Sequence, residues 1–514
     1  MKNQRKAGVI LSYAAQLVQI LTALIYTPIM LRILGKSEYG LYQLVNSVVS
    51  YLGLLNLGFS ASYMRFYSRF KVNYDDDSEQ KLNGMFMIIF CIMSAVCVFC
   101  GVVMILNITS IFGKGLTIKE YETAGILMSM MVLNLALTFP NSVFTCIIIA
   151  HEKFIFQKVV ILVQALLNPF LTLPLLLLGY GSIGMVCVTT MLTVAVLISN
   201  AFYCLNKFHS KFYFRHINFG LLKEMWHFTF FIFLNQIIDQ INWSVDKFLL
   251  GRMVGTAAVA TYGIAGQLNS LYLQLSTSIS SVFIPKVNRI VAESDNNEEL
   301  TEIFTRVGRI QFIVLILILS GFYIFGKAFI FFWVGEEYKE SYYVALFLLT
   351  PVTVPLIQNL GIEIQRAKNR HQVRSVVYFF IAIANIVISI PFIRRWGSVG
   401  AATGTMVSLI VGNGLFMNWY YYFCIGIDVR YYWKNIFSVC RGLIIPLTAG
   451  YISFKLIVYS TIARLCMGII VYTLIYCIAV YSMGMNQEER ELVKAPLLKL
   501  LTRLYVRKQE GNKN

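Results

Sequence analysis

Four polar residues on one stretch of the chain have the types and spacing to handle a proton or a small cation. Between residues 231 and 251, Asn235, Asp239, Asn242 and Asp246 are separated by 4, 3 and 4 positions. A helix sets residues spaced in this way along one face. Gln236, Gln240 and Lys247 widen that face. The surrounding residues are apolar over the length of a membrane crossing. A carboxylate in such a span is costly, so it normally faces protein or water and marks a pathway. Asp239, with no cation close in sequence, and Asp246 are therefore candidates for ion coupling. The structural alternative is hydrogen bonding between helices, with Asp246 neutralised by Lys247 or Arg252.

Other chemistry-like strings do not hold up. Gly179 to Gly184 fits G-x-G-x-x-G, but a dinucleotide site needs a preceding strand in a βαβ unit, and here two apolar segments flank the glycines. Gly35-Lys36-Ser37 would need a glycine where Met30 stands. Cys97 and Cys100 have a zinc-like spacing but no second pair, and the five histidines are scattered. No catalytic residue, metal site or cofactor is predicted, and without a nucleotide-binding motif direct ATP use is not expected.

The elements that must position the polar stripe are membrane helices. Hydrophobic residues make up 58% of the 514 and charged ones 13%, with a mean hydropathy of +0.68. Apolar stretches of ~20 residues or more recur from end to end. They predict an all-α polytopic membrane protein with about fourteen helices, near 8–34, 40–66, 82–107, 121–149, 155–178, 182–205, 225–250, 257–284, 305–333, 341–366, 372–393, 398–425, 434–457 and 463–484. Pro28, Pro140, Pro169, Pro351 and Pro355 fall inside these spans, where they kink rather than terminate. Of the 43 Lys and Arg, 30 lie on the side of the N-terminus and 12 on the other. This bias predicts both termini in the cytoplasm. The +18 net charge is thereby spread over membrane borders, which argues against a nucleic-acid partner.

The chain also repeats itself. Asn168, Pro174 and Gly181-Ser182-Ile183-Gly184 recur as Asn385, Pro391 and Gly397-Ser398-Val399-Gly400, and Lys71-Val72-Asn73 recurs as Lys286-Val287-Asn288, at displacements of 215 to 217. The expected organisation is an N-lobe of helices 1–6 (1–210), a C-lobe of helices 7–12 (211–426), helices 13–14 (427–485) and a basic amphipathic tail (486–514). Six spans per copy give a parallel repeat, a plan suited to alternating access. Laid on the first copy, Asn235 falls on Gln19, Asp239 on Ala23, Asn242 on Tyr26 and Asp246 on Met30. Helix 1 thus carries a neutral polar face of Ser12, Gln16, Gln19 and Tyr26. Helix 2 adds Tyr42, Asn46 and Ser50, and helix 8 adds Tyr262, Gln267 and Ser270. The expected substrate cavity comprises Gln16, Gln19, Tyr26, Asn46, Asn235, Asp239, Asn242 and Gln267. Arg65, Lys247, Arg252, Glu363 and Arg366 are candidates for a gate or for meeting an anionic headgroup. The alternatives are interhelical hydrogen bonding for the polar set and snorkelling for the charged set.

Residues 26–42 (Y-T-P-I-M-L-R-I-L-G-K-S-E-Y-G-L-Y), residues 245–262 (V-D-K-F-L-L-G-R-M-V-G-T-A-A-V-A-T-Y) and the paired G-S-x-G turns resemble bacterial polysaccharide transporters, the Wzx-type O-antigen and capsule flippases. The resemblance runs over nearly the whole chain. It implies the two-lobed, V-shaped bundle of the multidrug/oligosaccharidyl-lipid/polysaccharide exporter superfamily, in the cytoplasmic membrane of a bacterium. It also implies transfer of undecaprenyl-pyrophosphate-linked oligosaccharide between leaflets. The implied partners are that lipid-linked oligosaccharide, membrane lipids, and the polysaccharide polymerase and chain-length machinery. Two departures stand out. Related lipid II flippases concentrate arginines in the cavity, whereas helix 1 has no basic residue from Gly8 to Leu31. Drug exporters of the superfamily often rely on an acid in the first lobe, whereas Asp239 lies in the second. The expectation is a flippase rather than an enzyme; the alternative is a multidrug or cation antiporter on the same scaffold. A glycan polymerase would need a sizeable external loop, and the longest, near 107–121, is too short to house catalysis.

Overall fold

Apolar runs with a helical period and no strand-like alternation should give helices alone. In the computed structural model, which describes residues 2–72, 76–113, 115–214, 219–368, 370–456, 461–492 and 494, every regular element is helical. In chain order these are α1 (Lys2–Val49), α2 (Phe59–Val72), α3 (Asp76–Leu106), α4 (Ile108–Phe112), α5 (Ile118–Ala150), α6 (Phe154–Leu177), α7 (Gly181–Lys207), α8 (Phe219–Met253) and α9 (Thr256–Ser281). They continue as α10 (Ile284–Glu293), α11 (Asn297–Val334), α12 (Ser341–Ile357), α13 (Leu360–Ala367), α14 (His371–Leu409), α15 (Met417–Tyr420), α16 (Val429–Val439), α17 (Ile444–Leu456) and α18 (Ile462–Ala479).

Nine stretches among the described residues are long and apolar enough to cross a membrane, and the α12–α13 pair, bent by 42°, makes a tenth. Two of the nine, Ala14–Asn56 and Gln372–Ile425, run for 43 and 54 residues, enough for two crossings each. Each is broken at a glycine with positive φ: Gly35 (φ 76°) and Gly397 (φ 55°). With α8 and α9, which are long but more polar, the architecture is consistent with fourteen crossings. Pro28, Pro140, Pro169, Pro351 and Pro355 all lie inside helices, as expected of membrane spans. Some boundaries differ from the sequence reading: the expected helix 341–366 is split into α12 and α13. The second predicted helix, 40–66, passes through a 3₁₀ turn at Ser50–Asn56 and breaks at Leu57 and Gly58, both with positive φ. A leucine in that conformation is held by its surroundings, not by local preference.

The paired glycine turns share one geometry. Gly181 and Gly397 have φ of 54° and 55°, a region that favours glycine. At Gly400 a Cβ would come within 2.0 Å of the Phe392 carbonyl oxygen, so close helix approach also excludes a side chain. Asn73 of the first K-V-N corner lies outside the described residues; the second corner sits in α10.

By packing, the chain forms two compact units, Met1–Gln267 with Ser375–Ser408, and Leu268–Arg374 with Leu409–Asn514. In the first, α5 packs on α3 and α7, and α1 packs on α6 and α8. Tyr63, Phe86 and Phe90 are fully buried there, and the Tyr63 hydroxyl donates to Asn83 Oδ1 at 2.6 Å. Cys97 is buried and Cys100 half-buried, both as free thiols. Large apolar side chains such as Phe99, Leu106, Phe170 and Leu177 face outward, suited to lipid.

In the second unit α11 packs on α12, α16 and α18. Its end holds a buried arginine with all five donors used. Arg309 donates through Nε and Nη2 to the Glu489 carboxylate (2.6 and 2.9 Å), through Nη2 to the Gly484 carbonyl (3.0 Å), and through Nη1 to Ser438 Oγ (2.6 Å) and the Asn435 carbonyl. Glu489 also closes a capping box with Asn486, accepting from its backbone N–H while Asn486 Oδ1 accepts from that of Glu489. The tail expected to be amphipathic, 486–514, is described only to residue 492 and at 494.

Candidate functional site

Three helices of the first unit turn polar faces toward one another. On α1, Gln19, Thr22, Ala23, Tyr26, Thr27 and Met30 recur at three- and four-residue steps, which places them on one face. On α6, Ile161, Gln164, Ala165, Asn168 and Pro169 do the same, and α7 adds Met185 and Thr189 one turn apart. Tyr39, Tyr42 and Gln43, beyond the Gly35 break, and Gln267 of α9 complete a cavity of about 480 Å³. Among the described residues lining it are five amides and six hydroxyls, and none is charged.

The lining is hydrogen-bonded internally. Gln267 Nε2 donates to Thr27 Oγ1 at 2.8 Å, and Gln43 Nε2 to the Tyr39 hydroxyl at 2.7 Å. Thr172 Oγ1 donates to the carbonyl (2.6 Å) and to Oδ1 (3.1 Å) of Asn168. Behind Gln43, Lys247 Nζ donates to its Oε1 at 3.1 Å. The ammonium is therefore engaged from outside the wall of the cavity.

A second constellation surrounds Asp246 of α8, which is 1% exposed. Its Oδ2 accepts from the Tyr262 hydroxyl at 2.6 Å and from Thr405 Oγ1 at 2.7 Å. Ser389 also faces the carboxyl group and donates to Asn385 Oδ1 at 3.0 Å. Oδ1 of Asp246 has no hydrogen-bond partner among the described residues. No cation there lies within ion-pairing distance: Lys247 is turned to Gln43 and Arg252 is exposed. Neighbouring residues on a helix point ~100° apart, which is why Lys247 does not reach the acid beside it.

The remaining predicted residues are spread more widely. Gln19, Tyr26 and Gln267 line the cavity. Gln16 is half-buried on α1, Asn46 is exposed, and Asn242 is half-buried on α8. Asn235 and Asp239 belong to α8, but their side chains lie outside the described residues, as does that of Ser12. Gln240 of the same stripe donates to Ser50 Oγ and, at 2.8 Å, to Ser244 Oγ. Arg65 is exposed midway along α2. Glu363 and Arg366 pair with each other at 2.7 Å on α13, in the second unit. Sequence reasoning missed Gln43, Gln164, Thr189 and the place of Asn168 in the cavity wall. The available signal was the i, i+4 pair Gln164–Asn168 in an otherwise apolar span.

Comparisons with known proteins fit this geometry. The model of the family described as polysaccharide biosynthesis protein matches residues 6–291. The chain is similar to the putative O-antigen transporter of Shigella flexneri, 18% identical over 396 residues, covering 76% of this chain and 90% of that one. It is also similar to the probable flippase AglR of Haloferax volcanii, 23% identical over 173 residues. That match spans 33% of this chain and only 36% of the relative. Among solved structures, lipid II flippase MurJ in an inward closed conformation aligns over 95% of this chain and 99% of its own, with a TM-score of 0.73 at 15% identity. An inward-facing multidrug resistance MATE family transporter of the MOP superfamily aligns over 82% and 99%, with a TM-score of 0.64 at 15% identity. At these identities the two structures establish the fold. With more than half its length matched by the family model and apolar helices throughout, the chain is a multi-pass membrane protein that belongs to the polysaccharide biosynthesis protein family.

Proposed function

We propose that the protein is a flippase that moves undecaprenyl-pyrophosphate-linked oligosaccharide repeat units across the cytoplasmic membrane for capsule, O-antigen or exopolysaccharide assembly. The observation that carries this reading is the chemistry of the cavity: amides and hydroxyls, with no charged residue among the described lining, in a polysaccharide biosynthesis protein. Amide groups both donate and accept, as sugar hydroxyls require. The two relatives, a probable flippase and a putative O-antigen transporter, support the same reading. A cation exporter would be expected to place an acid in this cavity, which speaks against the antiporter alternative.

In this reading the repeated lobes, 1–210 and 211–426, alternate access to the polar cleft while the prenyl chain stays in lipid. A hydroxyl-rich glycan thereby avoids the hydrocarbon. Asp246, held by neutral hydroxyls, is the group that takes up a proton or small cation, and Asp239 on the same helix is a second candidate. Both termini are cytoplasmic, and polymerase and chain-length proteins are the downstream partners.

Depletion of the protein followed by leaflet-resolved analysis of lipid-linked glycans tests the function. Accumulation on the inner leaflet is expected; normal outward transfer in a strain without a redundant flippase would overturn the proposal. Altered drug susceptibility with normal surface glycan would favour the antiporter instead. Asp239→Asn should impair transport while the protein still folds, and unchanged export would remove Asp239 from the mechanism.

A further inference from the structure

We infer that the cavity on α1, α6 and α7 selects an uncharged sugar, a hexose or N-acetylhexosamine, and rejects one that carries a carboxylate. The inference rests on the flippase reading and names the substrate class of the same site.

The first support is the missing countercharge. A hexuronic acid seated against this lining would place a carboxylate among amides and hydroxyls, with no cation among the described lining residues to meet it. A buried ion without a partner is strongly disfavoured, whereas a neutral hydroxyl in the same place is fully compatible with amide donors and acceptors.

The second support is the way the nearest cation is held. Lys247 does not line the cavity; its ammonium is spent on Gln43 Oε1, and Gln43 passes its own Nε2 to the Tyr39 hydroxyl. The relay fixes the Gln43 amide and keeps the positive charge behind the wall.

The third support is shape and surface. Gln164 and Asn168 stand one turn apart on α6, and Gln19 and Tyr26 line the same space from α1. Aromatic faces offer apolar contact to the C–H side of a sugar ring while amides take its edge. The volume of about 480 Å³ lies within the range of about 300–1,000 Å³ usual for small-ligand sites.

The test uses the full-length protein in detergent and three synthetic probes. Two are polyprenyl-pyrophosphate disaccharides ending in glucose or in glucuronic acid, and the third is the bare polyprenyl pyrophosphate. The glucose lipid should bind at least about tenfold more tightly than the glucuronic acid lipid. Gln19→Lys and Gln164→Lys, each supplying a cation to the cavity, should narrow or invert that ratio. Gln19 is exposed on α1, so its variant carries the test even if Gln164→Lys does not fold. Equal binding of the two sugars by the unaltered protein would overturn the inference. Binding of the bare lipid as tightly as the glucose lipid would overturn it too, because the cavity would then not be reading sugar. If the glucose lipid neither binds nor crosses the bilayer in proteoliposomes, it is the flippase reading that fails.

Discussion

The two copies of the repeat put one set of positions to two uses. In the first copy Met30, Asn168 and Thr189 line the cavity, with Thr172 bonded to Asn168. Displaced by 216 or 217, the same positions are Asp246, Asn385, Thr405 and Ser389. There they close around a buried carboxylate instead. Tyr262, which donates to that carboxylate, stands where the first copy has the exposed Asn46. Duplication thus supplied a common frame of hydroxyls and amides. One acid and one tyrosine turned the second version inward, while the first kept its polar groups available to a ligand. Under the proposed function, the first copy would meet the glycan and the second would respond to an ion.

The comparison breaks most easily at the acid. Glu489 calibrates it, since Glu489 and Asp246 are the buried carboxylates among the described residues. Glu489 faces Arg309 in a saturated pair, so Glu489→Gln leaves a buried guanidinium short of its counterion and should cost about 3–5 kcal/mol. Asp246 has only hydroxyl partners, and Asp246→Asn should change stability by about 1 kcal/mol or less. Transport should behave in the opposite way. Asp246→Asn should lose at least about tenfold in glycolipid transfer and all response to an imposed ion gradient. Thermal unfolding beside a proteoliposome assay measures both. Equal destabilisation by the two variants, with gradient response retained in Asp246→Asn, would make Asp246 scaffold like Glu489.

A smaller effect tests whether the two versions really are interchangeable. Met30 is 5% exposed, and Met30→Asp should destabilise by about 1–3 kcal/mol, because a buried acid would lack its donors. Adding Asn46→Tyr to Met30→Asp supplies the equivalent of Tyr262, and Thr189 already occupies the place of Thr405. The double variant should recover part of the loss and transfer glycolipid more slowly than the unaltered protein. If Asn46→Tyr brings no recovery, the positions correspond in sequence but not in space.

Much of this was legible before any coordinates. The stripe on α8 named Asp239 and Asp246 as candidates, of which only the Asp246 side chain is described; the apolar spans pointed to an all-helical membrane fold, and the 216-residue displacement set Met30 against Asp246. The cavity itself was only half visible. Gln164, Asn168 and Thr189 are isolated polar residues in apolar spans, where ordinary interhelical bonding is as good a reading as ligand contact. Only tertiary packing shows which of them converge. Asn168 entered only as a repeated position, and repetition marks a shared position and not a shared role. Of the structural alternative for Asp246, the hydrogen bonds between helices are present, whereas neutralisation by Lys247 is not, because neighbours on a helix point apart. The break at Leu57 was hidden because nothing in a leucine announces positive φ.

The smallest effect lies in the glycine corners, which share a backbone but not their neighbours. Gly181→Ala and Gly397→Ala should each cost about 1–3 kcal/mol, since both glycines have φ near 55°. At Gly397 no atom lies within 4 Å of an added Cβ, so strain is the whole cost. At Gly181 the Cβ would come within 2.1 Å of Glu38 Oε1. That oxygen accepts from the backbone N–H (2.6 Å) and the hydroxyl (2.9 Å) of Ser182 and so caps the start of α7. The second copy has no such carboxylate; Ser398 Oγ donates to the Ala258 carbonyl at 3.1 Å. Gly181→Ala should therefore cost about 1 kcal/mol more than Gly397→Ala, through the lost cap. In a Glu38→Ala background the two should become equal. If the difference in unfolding temperature survives removal of Glu38, the asymmetry of the corners has another source, and the first copy's cap does not hold α7 against the cavity.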